Sequence, residues 1–137
     1  MAFTTDEKIV VRMQGFKFQR EGGTFGFAFI DKDPGVFGSS QCLNINNLLM
    51  EFDYSKSSIR PSLVTVDYID QGGLENFSVN GSDIIAGEIS ELPAEINGVK
   101  ISVTKTEKGN GTVTMVGPVK IFQIGGQEFA IDNVCAQ

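Results

Sequence analysis

Seventeen Asp and Glu residues and no histidine set the limits of the chemistry open to this chain. Without an imidazole, no Ser-His-Asp or Cys-His nucleophilic arrangement can be assembled within it. The two cysteines, Cys42 and Cys135, stand far apart and no Cys-x-x-Cys occurs, which argues against zinc. Carboxylates remain. Glycoside hydrolysis needs two of them about 5–9 Å apart with their pKa values pushed in opposite directions. Asp67, Asp70, Glu75, Glu88 and Glu91 could supply such a pair, but no motif couples them, and acids in this number ordinarily solvate a surface. The chain therefore reads as a protein without catalytic activity.

Three other groups of residues carry candidate chemistry. In Asp31-Lys32-Asp33-Pro34-Gly35, two carboxylates flank one residue and a glycine follows. Hard Ca²⁺ collects oxygens from closely spaced Asp residues in such turns, although the ligand pattern of an EF-hand does not follow. The competing reading is a solvated turn in which Asp caps backbone amides. Tyr54 and Tyr68 are amphipathic rings that could stack on a ligand such as a sugar, or pack in line with Phe52 and Val66. Cys42 and Cys135 read either as a disulfide, worth about 4–5 kcal/mol in the chain-entropy model, or as buried apolar fillers. The disulfide requires neighbouring strands and an oxidising compartment.

Charge removes several classes of partner. The net charge is −6, and no Lys/Arg cluster interrupts it. A phosphate backbone or an anionic membrane surface would be repelled. No apolar run approaches the roughly 18 residues that span a bilayer. Residues 1–8 are polar and lack the apolar core of a signal peptide, which fits either a cytosolic protein or an exported one whose leader has been removed.

The elements that must position these residues are short and extended. Apolar residues alternate with period two in Lys8–Gln14, Thr24–Ile30, Asn47–Tyr54, Leu63–Ile69, Glu75–Val79, Val99–Val103, Thr112–Val116, Val119–Ile124 and Glu128–Val134. Phe25, Phe27 and Phe29 form one expected core face. Asn80-Gly81, Asn97-Gly98 and Asn110-Gly111 fit hairpin turns with two positive φ angles, and Gly117-Pro118 and Gly125-Gly126 mark two more breaks. Only Ile84–Ile96 leaves room for a turn of helix, limited by Gly87 and Pro93. One core of this size suits 137 residues, so residues 1–137 read as a single domain. Eight to ten strands in that length imply an all-β, antiparallel β-sandwich.

The closing run Gly125-Gly126-Gln127-Glu128-Phe129-Ala130-Ile131-Asp132-Asn133-Val134 resembles the last strand of jelly-roll domains in secreted bacterial proteins, among them carbohydrate-binding modules. The order of an early Phe/Gly strand, Gly38-Ser39-Ser40, Cys42 and the Asn44/Asn46/Asn47 cluster is similar as well. The resemblance implies a jelly roll and an extracellular or periplasmic protein. It also implies a structural Ca²⁺ held by Asp132 with oxygens from the first loops, Asp31 and Asp33 among them. The function it implies is non-catalytic recognition of a carbohydrate or cell surface, with a glycan or surface polymer as partner. Many such modules read sugars with exposed Trp, and this chain has none. The second reading is a structural, self-associating surface or matrix protein without a small-molecule ligand.

Overall fold

The computed structural model describes residues 10–15, 26–58, 60–106 and 108–137. Among these residues the chain forms ten strands: β1 (Val10–Gly15), β2 (Phe27–Lys32), β3 (Gln41–Asn46), β4 (Leu48–Asp53), β5 (Leu63–Val79), β6 (Ile85–Gly87), β7 (Glu95–Ile96), β8 (Val99–Lys105), β9 (Asn110–Val116) and β10 (Ile121–Ala136). A single 3₁₀ turn, Ile89–Glu91, lies in the one segment with room for helix. Every pairing is antiparallel, so the all-β expectation holds. Lys8, Ile9 and Phe25 lie outside the described residues.

The strands join in one sheet in the order β1-β4-β10-β5-β9-β8-β7, with β2 and β3 added beside β10 and β6 beside β5. Its spine is the pair β5 and β10, matched from Val64↔Ala136 to Val79↔Phe122. Here the structure corrects the sequence reading. Gly125-Gly126 is not a turn, and Leu63–Ile69 and Glu75–Val79 are not separate strands. Both long strands run unbroken through their glycines. Gly72 and Gly73 take φ of 134° and 80°, and the ladder shifts register between Gly126 and Phe129. Such a bulge bends a strand and raises its twist without ending it.

The bulge also exchanges the faces of β10. Phe122 and Ile124 point into the core before it, and Phe129 and Ile131 after it. A second irregularity, at Asn133 with φ 50°, returns Val134 to the core and leaves Cys135 exposed. Because side chains alternate along a strand, each extra residue inverts everything that follows. The two halves of the spine thus present their inner faces to one core. Phe52, Phe77 and Phe122 come from one half, and Val66, Tyr68 and Phe129 from the other.

Turn chemistry held at two places of three. Asn80-Gly81 (φ 50° and 75°) and Asn97-Gly98 (φ 47° and 80°) have the two positive φ angles expected. Asn110-Gly111 does not turn; it opens β9, opposite Ile69 and Tyr68. Glycine is needed there for room, since a Cβ would land on the Thr104 carbonyl oxygen and 2.9 Å from the Tyr68 hydroxyl.

On the outer face a polar row crosses four strands in register. Arg12 Nη1 reaches Glu51 and Asp53, each at 3.0 Å; Gln123 Nε2 donates to Glu51 at 2.7 Å; Ser78 Oγ donates to Gln123 at 2.7 Å. Ser55 and then Arg12 hold the Asp53 carboxyl at about 2, below its ordinary 3.8. A depressed carboxylate contributes stability above its unfolded pKa and loses it as pH falls through the folded one. Urea midpoints are therefore expected to fall between pH 4 and pH 2. Asp53→Asn should flatten that part of the profile, and an unchanged slope in the variant would remove Asp53 from the account.

Candidate functional site

Two places gather side chains that could do more than pack. The first is the outer face of β2 and β3. Phe27 lies opposite Asn46 and Phe29 opposite Asn44, so two rings and two amides share one surface. The rings stack at 5.9 Å with 20° between their planes, and each is 43% exposed. Asn46 Nδ2 lies 3.4 Å from Asn44 Oδ1, which keeps the amides side by side. The expected core face of β2 is thus the exposed one. Alternation names two faces but not which is covered. The other face of β2 puts Ala28 against the core, while Ile30 is 60% exposed. The sequence reading began its strand at Asn47 and so left out β3; the alternation of Leu43 and Ile45 was its available signal.

The loop that joins β2 to β3 is held in place. Asp33 accepts backbone N–H bonds from Gly35, Val36 and Phe37 at 3.1, 3.0 and 3.2 Å. Phe37 packs with Cys42, Ile69 and Ala130 in a small outer cluster. Ser39 donates to Asp132, and Asn133 Nδ2 bridges the Phe37 carbonyl and Asp67, both at 3.0 Å. The Ile-Asp-Asn run of the closing strand therefore pins the 33–40 loop over the sheet.

The second place lies at the bend of the spine. Asp70, Glu75 and Glu88 each offer a carboxylate oxygen, and these oxygens all lie within 4.8 Å of one another. Glu75 is 1% exposed and faces inward with Phe77. Its Oε2 accepts the Ile89 N–H at 2.9 Å, while Oε1 is buried with no hydrogen-bond partner. Asp70 Oδ1 accepts the Gly72 N–H at 2.9 Å. Burial, together with the charge of Asp70 and then Glu88, outweighs the Ile89 bond and pushes Glu75 up to about 8. Burial first, then Asp70, Glu75 and Glu88, pushes the Tyr68 phenol up to about 12. The sequence reading weighed Asp70, Glu75 and Glu88, with Asp67 and Glu91, as a possible acid/base pair and favoured surface acids. Glu75 sits two residues before Phe77 on a core face, and that was the signal.

The residues expected to carry function are placed elsewhere. Tyr54 and Tyr68 cannot be ligand platforms, since they are 2% and 1% exposed. Tyr54 stacks 6.3 Å from Phe122, and Tyr68 lies 5.6 Å from Phe129. The groove beside Tyr54, about 360 Å³ with Arg60, Pro61 and Lys120 on its walls, exposes almost none of the ring. Cys42 and Cys135 are both free thiols, so the disulfide does not form. Their strands are neighbours, but the Asn133 bulge turns Cys135 to solvent while Cys42 stays in the outer cluster. Asp31, Asp33 and Asp132 surround Cys42 and raise its pKa after burial does. They do not form a ligand group: among the described residues the acidic triplet that converges is Asp70, Glu75 and Glu88. Asp31 and Asp33 cap backbone amides instead, the Lys32 N–H at 2.8 Å in the case of Asp31. Burial pulls Asp132 upward, but its donors, Ser39 and the Asn133 N–H among them, leave it below the usual carboxylate range.

Comparison with protein-family models, with curated proteins and with solved structures finds no match to this chain.

Proposed function

We propose that this chain is a non-catalytic recognition module of jelly-roll type, and that it binds a carbohydrate or surface polymer on the outer face of β2 and β3. One observation carries the reading: the stacked, half-exposed Phe27–Phe29 pair beside Asn44 and Asn46. Sugar rings have apolar C–H faces and hydroxyl edges. Aromatic rings cover the first, and amides can both donate to and accept from the second. Two near-parallel rings 5.9 Å apart set the spacing, and the loop fixed by Asp132 and Asn133 keeps the surface pre-organised, which limits the entropy lost on binding. The acidic surface favours neutral polymers over anionic ones. The proposed setting is outside the cytoplasm, at a cell surface.

The test is a glycan array followed by affinity electrophoresis on the polysaccharides that score. Phe29→Ala is expected to weaken binding about tenfold, an aromatic contact being worth on the order of 1 kcal/mol or more. Its melting temperature should stay within about 2 °C of the parent because the ring is half in solvent. Equal binding by the variant, or no binding by the parent, overturns the reading.

The second reading, self-association, draws on the other face of the same strand. Ile30 is the most exposed large apolar side chain among the described residues, and β2 pairs among them with β3 alone. Exposed apolar strands of this kind pair with other chains. A concentration-dependent dimer in light scattering that Ile30→Lys abolishes, together with a blank array, would establish this alternative.

A further inference from the structure

We propose that the carboxylates of Asp70, Glu75 and Glu88 form a calcium site inside the bend of the β5–β10 spine. Oxygens bound to one Ca²⁺ at about 2.4 Å can stand at most about 4.8 Å apart. The three carboxylate oxygens meet that limit without rearrangement. An all-oxygen, all-anionic donor set selects hard divalent cations over softer metals.

Two observations separate this cluster from an ordinary acidic patch. The first is the unmet oxygen. Glu75 Oε1 is fully enclosed and accepts no hydrogen bond, although its sister oxygen is tied to the Ile89 N–H. Leaving a buried acceptor unsatisfied is costly, and more so when it is charged. The second is the Tyr68 hydroxyl. It too is buried and without a partner, and it stands two residues before Asp70 on the same strand. Asp70 and Glu75 are each tied by one oxygen to a backbone N–H, which fixes both side chains before an ion arrives. Asp70 and Glu88 are partly exposed, so ion and water can enter from their side.

The site takes its residues from both sides of the bend. Asp70 stands before the Gly72-Gly73 bulge and Glu75 after it, while Glu88 enters from the segment that follows β6. An ion there would tie the two halves of the sheet at their corner. Without one, three carboxylates this close repel each other.

The experiment is isothermal titration of the chelator-treated protein with CaCl₂ and separately with MgCl₂, paired with melting curves in EDTA and in calcium. The variants are Glu75→Gln, which keeps an acceptor for the Ile89 N–H but removes the carboxylate, and Asp31→Asn as a control outside the site. One calcium per chain is expected, with a melting-temperature rise of about 8 °C at 100-fold excess over Kd. Glu75→Gln should lower affinity at least tenfold and lose most of the rise, while Asp31→Asn keeps both. Heats with magnesium at equal or greater affinity would replace calcium as the ion. No heat and no melting shift with either salt overturns the site. So does a Glu75→Gln variant that binds like the parent. A parent indifferent to calcium whose Glu75→Gln variant melts higher in EDTA would show a shared proton and nothing more. The residues of this site are separate from the β2–β3 platform, so either proposal can fail alone.

Discussion

Gly125→Val is expected to remove the cooperative urea transition at 25 °C, and Gly125→Ala to cost at least about 3 kcal/mol, at or beyond the upper end of ordinary overpacking. The reason is proximity rather than backbone freedom. Gly125 sits in mid-strand opposite Leu49 of β4 and Asn76 of β5. A Cβ there would fall on the Leu48 carbonyl oxygen and 2.9 Å from the Leu49 Cα. Both obstacles are backbone, which cannot rotate aside. Relief would require parting β4 from β10, and with it the Phe52–Phe122 contact behind the ladder. Gly81→Ala is the informative contrast. Nothing lies within 4 Å of its Cβ, so only the strain of φ 75° remains, a penalty of about 1–2 kcal/mol. Denaturation by urea, followed by far-UV circular dichroism, gives both numbers. A Gly125→Ala protein as stable as the parent would mean that the strands do not approach at the bend as described.

Phe122→Ala should cost about 3–5 kcal/mol, the range for removing a buried phenylalanine. The ring is 0% exposed and stacks on Phe52 at 4.8 Å with 8° between planes, with Tyr54 beyond at 6.3 Å. It lies opposite Phe52 on one side and Val79 on the other, at the inner face shared by β4, β10 and β5. Its neighbours Phe52, Phe77 and Val79 are themselves wholly buried. A domain whose total stability is about 5–15 kcal/mol would be left marginal. Phe52→Ala should be similarly costly, and the double variant less than additive by roughly 1 kcal/mol, because each single change already destroys the stacked pair. A loss below 1 kcal/mol for Phe122→Ala would show that the site collapses around the missing ring.

The spine explains why these two positions dominate. β5 and β10 pair directly with β3, β4, β6 and β9; β1, β2 and β8 attach through one of these, and β7 through β8. A fault at the bend is transmitted to both halves of the core. β2, by contrast, pairs with β3 alone among the described residues. On the proposed reading, that lets the outer side chains Phe27 and Phe29 change without unfolding the molecule.

Much of the fold could be read from local sequence. Alternation of Val, Ile and Phe with polar residues has a period of two, and no helix can bury such a pattern on one face. Asn80-Gly81 and Asn97-Gly98 turn as expected because two adjacent positive φ angles are a local requirement that few other pairs meet. The all-β class, most strands and these turns were thus determined by neighbours in the chain.

The site was not legible in the same way. Gly125-Gly126 and Asn110-Gly111 have the residues of turns but lie in strands, because their glycines answer to backbone across the sheet, Leu48 and Thr104. Phe27 and Phe29 look like core residues but are half-exposed, while Glu75 looks like a surface acid but is buried with Phe77. Burial of a strand face depends on what is packed against it. The register shift before Phe129 and the irregularity at Asn133 invert β10 twice, and only the partner strand β5 reveals where. The closing run therefore specified extended structure by itself. Which of its side chains face the core, that Cys135 turns away from Cys42, and that Asp132 holds a loop were decided by pairing between distant strands, since a one-residue shift costs little locally and exchanges the two faces completely.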